Sequence, residues 1–171
     1  MRPSPCRLWH KLVRLKRRGR HAAFIASTLL RASLRRDDRQ VIVRAWRTLR
    51  ALPALIDQHS LPQTLQRLDT QPLPARPDLR EALSVTNLAD AVAALDRRSA
   101  MGRCLRRSLV RLHLLRRIGL PVTIHVGVRP NSTPDTALVG HAWLTLDGCP
   151  WEESSDDHSH YVVMFRYPQD Q

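Results

Sequence analysis

A cysteine and a histidine in the second half of the chain have the residue types needed for nucleophilic catalysis. Cys104 lies where a loop becomes a helix that we expect over about residues 104–118. A helix N-terminus carries roughly half a positive charge, to which Arg103, Arg106 and Arg107 would add. Both effects favour the thiolate, which is the nucleophilic form of cysteine. Cys104 is therefore the candidate nucleophile, although its position alone is equally compatible with an inert buried thiol.

His141 is the candidate base. It lies in Gly140-His-Ala-Trp143, within a segment whose alternating apolar residues predict a strand. If the Cys104 helix packs on the sheet that contains this strand, the thiol and the imidazole can meet within hydrogen-bond reach. Such a pair is a thiolate–imidazolium nucleophile suited to acyl transfer.

A third group should accept a hydrogen bond from the other imidazole nitrogen. Asp147 is six residues further along the strand, roughly 20 Å away at about 3.3 Å per residue. Glu152 and Glu153 return beside His141 through a hairpin at Asp147-Gly148. A two-residue turn would present Glu152 and a bulge at Gly148 would present Glu153, so spacing leaves both open. Asp156 and Asp157 are the next candidates if neither glutamate serves.

The first half of the chain is predicted to be helical. Asp37 and Asp38 could cap a helix over about residues 40–52, which Pro53 would end or kink. Proline-rich residues 70–78 predict a linker. Two further helices are expected, one from Ser60 to about Leu68 and one that Thr86 caps and that runs through Leu95.

The second half changes from helical to strand periodicity. Gly119 and Pro121 end the Cys104 helix, and residues 122–128 then alternate as a half-buried strand. A second strand is expected over about residues 138–146, a third through Trp151 and a fourth over residues 161–165. Helices followed by an antiparallel sheet predict an α+β fold.

The net charge is concentrated at one end of the chain. Of 171 residues, the first 50 hold 15 Lys or Arg and two acids, which accounts for the whole net charge of +13. We divide the chain into a basic extension, residues 1–37, and a domain, residues 38–171, with a helical subregion at 38–98 and a catalytic core at 99–171. The basic segment could contact an anionic partner, so a nucleic-acid-binding protein is the alternative function. No recognised DNA or RNA motif supports that alternative.

Other classes lack support in the sequence. No stretch approaches the roughly 20 apolar residues of a membrane span. Three cysteines are too few for a disulfide scaffold and fit a reducing compartment, with Cys149 read as an incidental thiol. His158-Ser-His160 lacks companion ligands at zinc spacing, and no phosphate-binding loop appears. We therefore expect no metal and no cofactor.

A set of motifs resembles the transglutaminase-like leader peptidases of lasso-peptide biosynthesis, the B proteins of those pathways. The similarity runs from about residue 38 to Pro168. The motifs, in chain order, are Cys104-Leu-Arg-Arg-Ser-Leu109, Leu114-Leu-Arg-Arg-Ile-Gly-Leu-Pro121, Val126-Gly-Val-Arg129, Gly140-His-Ala-Trp-Leu144, Asp147-Gly148 and Phe165-Arg-Tyr-Pro168.

The resemblance implies a papain-like Cys–His–acid protease that cleaves the leader from a ribosomally made precursor. Cys104 matches the nucleophile, His141 the base, and Glu153 the acid twelve residues after it, where the family usually has Asp. The resemblance also implies a bacterial cytoplasmic enzyme that acts with a separate ATP-dependent cyclase. Residues 1–37 are too few for the fused leader-binding domain of some members, so a separate leader-recognition protein is expected, or leader binding by the basic segment itself. An amidase or a transglutaminase on the same fold is the remaining alternative.

Overall fold

The computed structural model describes residues 35–69, 77–96, 101–131, 138–153 and 158–168. Most of the basic extension and residues 154–157, with Asp156 and Asp157, lie outside these ranges. The described elements are α1 (Arg36–Gln58), α2 (Leu61–Leu68), α3 (Leu79–Leu95), α4 (Arg103–Arg117), β1 (Thr123–Pro130), β2 (Leu138–Leu146), β3 (Cys149–Pro150) and β4 (Val162–Tyr167). Helices therefore precede an antiparallel sheet, and the predicted α+β class is confirmed.

The first helix is longer than the sequence predicted. Pro53 lies inside α1 and does not end it. Proline removes one backbone donor, but the helix on both sides of that position packs its apolar face, including Leu49 and Leu52, into the core. Asp37 and Asp38 do not cap α1; they lie in its first turn, where carboxylates interact favourably with the free N–H groups.

The starts of the next two helices follow from their capping residues. The backbone N–H of Ser60 donates to Oε1 of Gln63 at 3.0 Å at the start of α2, as predicted for a helix beginning there. The start of α3 was predicted wrongly, because Asp78 is its N-cap and accepts from the backbone N–H of Arg80. Thr86 lies in mid-helix, where its hydroxyl donates to the carbonyl of Ala82 at 2.8 Å.

The sheet has the strand order β3-β2-β1-β4. The predicted strand over residues 138–146 is confirmed, whereas the third strand contains only Cys149 and Pro150. Asp147 and Gly148 both have positive φ, as a two-residue hairpin turn requires. Thr145 pairs with Pro150 and Leu146 with Cys149, so the hairpin has no bulge at Gly148.

The helices cover one face of the sheet, with α4 between that face and the remaining helices. Its Leu109, Leu112 and Leu115 are fully buried beside Ile124 of β1 and Leu144 of β2. Trp151 closes this core and donates from Nε1 to the Thr86 hydroxyl at 2.9 Å. This packing fixes the first turn of α4 against β2.

Candidate active site

Cys104 lies in the first turn of α4, at the edge of β2 that faces away from β1. Its Sγ atom is 3.9 Å from the carbonyl oxygen of Gly140, the residue before His141. The thiol is partly exposed and is a free cysteine. The sequence prediction that a helix start would bring Cys104 to the His141 strand is therefore met by the geometry.

The structure places the Cys104 thiol close enough to His141 for the imidazole to act on it. The hydrogen bond with His141 is the largest influence on the Cys104 thiol and lowers its pKa. Burial opposes this shift, but backbone hydrogen bonds at Ala142 and Leu105, and the charge of His141, also lower the pKa. A thiol whose pKa is lowered by an imidazole is a prepared nucleophile.

The sequence predicted that the arginines in the first turn of α4 would help to stabilise the Cys104 thiolate, but their side chains pair with carboxylates. Arg106 donates to Asp96 at 3.1 Å and Arg107 donates to Glu153, so each guanidinium is paired with a carboxylate. The Leu105 backbone contact belongs to the first turn of α4, where N–H groups lack intrahelical acceptors. The imidazole and the backbone groups of Ala142 and Leu105, and not these arginine side chains, therefore account for the lowered pKa of Cys104.

Glu153 is buried between two arginines of α4. Its Oε1 accepts from Nη2 of Arg107 and, at 3.3 Å, from Nη1 of Arg111. Arg111 also donates from Nε to Asp90 of α3 at 2.6 Å. Burial opposes the charge of Arg111, but the carboxylates of Asp90 and Glu153 raise its pKa above the ordinary value. The described contacts of Glu153 are thus with guanidinium groups and do not include His141.

The hairpin register explains where the two glutamates lie. An unbulged turn would place residue 152 opposite residue 143, and the backbone N–H of Trp151 does donate to the Leu144 carbonyl at 2.8 Å in that register. Glu152 then has a φ of 51°, which turns the chain away from the ladder. The strand that was expected to carry a glutamate back beside His141 therefore ends before reaching it.

The second nitrogen of His141 has no protein partner among the described residues. Nε2 is buried and makes no hydrogen bond there. A buried, unpaired ring nitrogen is costly, and it is the position that a third catalytic group would occupy. Whether Glu153, Glu152 or a residue of the undescribed segment 154–157 serves there stays a prediction.

Aromatic rings hold the imidazole of His141 in place. Trp143 stacks on it with ring centroids 5.7 Å apart, and Tyr161 lies 5.1 Å away at a tilt. On its other side Trp143 stacks on His125 at 5.4 Å. The sequence suggested Trp143 as a wall of the site or as packing; it did not suggest Tyr161, which approaches from the segment just before β4.

Ser108 is a positioning residue that sequence reasoning missed. Its hydroxyl donates to the Ala142 carbonyl at 2.9 Å, in the interior. Ser108 follows Cys104 by four residues, so both side chains lie on the same face of α4. A polar residue at that spacing inside an apolar helix face was the available signal.

Three further findings concern Cys149, metal ligands and membrane spans. Cys149 is disulfide-bonded and so is not the free thiol that we expected. No group of three or more His, Cys, Asp or Glu side chains suited to a metal ion occurs among the described residues. Likewise, none of the helices within the described ranges is long and apolar enough to cross a membrane.

Comparison with known proteins identifies the family. A family model described as the transglutaminase-like superfamily matches residues 48–166, which include Cys104 and His141. No curated protein and no solved structure matches the chain. Proteins of this superfamily generally have cysteine-protease-like chemistry, and the Cys104–His141 contact is of that kind. The chain therefore belongs to the transglutaminase-like superfamily.

Proposed function

We propose that this protein is a cysteine peptidase that removes the leader peptide from a ribosomally made lasso-peptide precursor. The observation that carries the proposal is the position of Cys104 in the first turn of α4, 3.9 Å from the carbonyl of Gly140 beside His141, where the imidazole lowers the pKa of the thiol. The superfamily match supports thiol chemistry, and the motifs around these two residues support the leader-peptidase reaction.

The proposed reaction is acyl transfer in two steps. His141 takes the proton of Cys104, and Sγ attacks the carbonyl carbon of the peptide bond between leader and core. We assign stabilisation of the oxyanion to N–H groups in the first turn of α4, which lack intrahelical acceptors. His141 then gives its proton to the leaving core amine, and the acyl group remains on Sγ as a thioester. Water activated by His141 hydrolyses the thioester and releases the leader.

The third catalytic group is proposed to be Glu153, with Glu152 as its alternative. Family spacing favours Glu153, and Nε2 of His141, which has no partner among the described residues, creates the need for an acceptor. In the geometry described above Glu153 is held by Arg107 and Arg111, so a direct role would require it to exchange those partners.

The proposed partners are the precursor, a separate cyclase and a separate leader-recognition protein. The released core amine is the group that the cyclase would join to an Asp or Glu side chain. A groove on α1 supports contact with an anionic surface, because four of its six lining residues are arginines: Arg36, Arg39, Arg44 and Arg47. The same groove would serve the nucleic-acid-binding alternative, so binding by it must be tested separately from cleavage.

The test is cleavage of a synthetic precursor by the full-length protein, followed by mass spectrometry. We expect a single cut that Cys104→Ala abolishes and that the exposed control Ser84→Ala preserves. Full activity of Cys104→Ala would refute the proposal. Transfer of the acyl group to an added amine, without hydrolysis, would indicate a transglutaminase. Salt-sensitive DNA binding with no selective alkylation of Cys104 would instead favour the nucleic-acid-binding protein.

A further inference from the structure

Arg129 is a cation on the sheet face that carries His141. β1 pairs Gly127 with His141, and Arg129 lies two residues further along β1, opposite Val139. Side chains two residues apart on a strand point to the same face, and so do the side chains of residues paired across two strands. The side chain of Arg129 therefore projects from the same face of the sheet as His141.

One aromatic ring separates the guanidinium of Arg129 from the imidazole. The Cζ atom of Arg129 lies over the ring of Tyr161, 5.2 Å from its centroid. The centroid of the same ring lies 5.1 Å from that of His141. A guanidinium seated on an aromatic face is held by a cation–π contact, while its N–H groups stay free to donate hydrogen bonds. Arg129 is thus held close to His141.

Among the described residues, the guanidinium of Arg129 has no carboxylate partner. Arg106, Arg107, Arg111 and Arg116 each pair with an acid, but none of the described ion pairs includes Arg129. Its Nε atom is buried without a hydrogen-bond partner, although the residue as a whole is partly exposed. Because guanidinium–carboxylate hydrogen bonds are among the strongest that proteins make, this cation is suited to an anionic group of a ligand.

The position of Arg129 relative to Cys104 indicates which part of a substrate it meets. Cys104 contacts the Gly140 carbonyl on the side of β2 that faces away from β1, whereas Arg129 belongs to β1. The thiol and the guanidinium therefore lie on opposite sides of His141. In the proposed reaction the amine released from the scissile bond takes its proton from His141. The guanidinium accordingly lies beyond the imidazole, toward the segment that begins with this amine.

We propose that Arg129 binds the side-chain carboxylate of an Asp or Glu that follows the scissile bond in the substrate. This inference rests on the proposed function and specifies a sequence preference of its substrate. The contacts through Tyr161 place the guanidinium within roughly 10 Å of the imidazole, a span that about three residues of extended chain cover. The acid therefore lies within about the first three positions of the released segment.

The experiment measures how well short peptides protect Cys104 of the full-length protein from iodoacetamide. The peptides are tripeptide amides with a free amine, which imitate the start of the released segment. Each has Glu at one position and Ala at the others, and each has a counterpart with Gln in place of Glu. A peptide bound beside His141 blocks access to Cys104. At one position or more, we expect the Glu peptide to protect at about tenfold lower concentration than its Gln counterpart, as for a hydrogen bond to a charged group.

Variants test the same contact from the protein side. Arg129→Gln should reduce the Glu-to-Gln preference to about one, because no cation remains, and Arg129→Lys should retain part of it. The exposed control Arg50→Gln on α1 should keep the wild-type preference. In Arg129→Glu the preference should change to peptides with Lys at the same position.

Equal protection of the wild type by Glu and Gln peptides at all positions, or protection by neither, would overturn the inference. A wild-type preference that persists in Arg129→Gln would overturn it as well, because the carboxylate would then be bound elsewhere. The proposed function fails separately, if iodoacetamide does not label Cys104 selectively or if the precursor is not cleaved.

Discussion

Replacing Glu153 by Gln removes a charge from the most buried ion-pair network described in this structure. Glu153 and Arg111 are each only 2% exposed, and Arg107 is the second guanidinium on the same carboxylate. Gln keeps one acceptor oxygen but cannot compensate two positive charges. Asp90, which is 35% exposed, would then be the carboxylate that still pairs directly with Arg111 among the described residues.

The size of the effect follows from the burial of the remaining charges. Removing one partner of a buried ion pair destabilises a protein by about 3 to 5 kcal/mol. Because Arg111 keeps Asp90, we expect a loss at the lower end, about 3 kcal/mol. For a chain of this size that corresponds to a decrease of roughly 9 °C in Tm.

The assay is urea and thermal unfolding of Glu153→Gln beside Glu81→Gln, an exposed Glu in the first turn of α3. The control should change the free energy of unfolding by no more than about 0.5 kcal/mol. An unchanged stability of Glu153→Gln would refute the ion-pair reasoning.

The rate of the folded variant answers the catalytic question: a loss of roughly a hundredfold to ten-thousandfold, with Glu152→Gln only mildly slowed, would support Glu153 as the orienting acid. A rate within threefold of the wild type would restrict Glu153 to the ion-pair network.

Three further substitutions test the support of the catalytic pair. Ser108→Ala leaves the buried Ala142 carbonyl without its donor and should cost about 1 to 3 kcal/mol in urea unfolding; no loss would show that this bond does not hold α4 to β2. Trp143→Phe weakens the stack on His141 and should lower kcat about fivefold with KM unchanged, matching about 1 kcal/mol for an aromatic contact; an effect on KM alone would contradict a positioning role. Gly127→Ala places a methyl group 2.8 Å from the Val162 carbonyl oxygen and should lower stability by about 1 to 3 kcal/mol, measured by thermal unfolding, whereas Gly140→Ala should not.

The elements with strong periodicity were predictable from sequence. The apolar stripe of α4, with glycine after it, gave its boundaries to within one or two residues, and alternation gave β2. Cys104 and His141 could be paired because one begins this helix and the other lies on the strand beside it. The element boundaries and the pairing of Cys104 with His141 both follow from the local sequence pattern of the residues involved.

The remaining features depend on tertiary contacts that no local pattern contains. Pro53 is tolerated because the buried face of α1 holds the helix in place. Thr86 lies in the middle of α3, where it accepts a hydrogen bond from Trp151 and does not cap the helix. The position of Glu153 depends on the positive φ of Glu152 and on two arginines that are 42 and 46 residues away in sequence. Residue spacing along a hairpin could not reveal the positive φ of Glu152 or the contacts with the two arginines, because a spacing argument assumes that the strand continues.

The most direct test of the catalytic pair is the pH dependence of Cys104 alkylation by iodoacetamide. The hydrogen bond from His141 is the main influence that lowers the pKa of Cys104, and burial acts against it. The wild-type rate should therefore reach half its maximum at a pH below that of an ordinary thiol. His141→Ala removes the largest influence that lowers the pKa and leaves the burial, so its midpoint should move to higher pH. An identical midpoint in the wild type and in His141→Ala would contradict the pairing of Cys104 with His141.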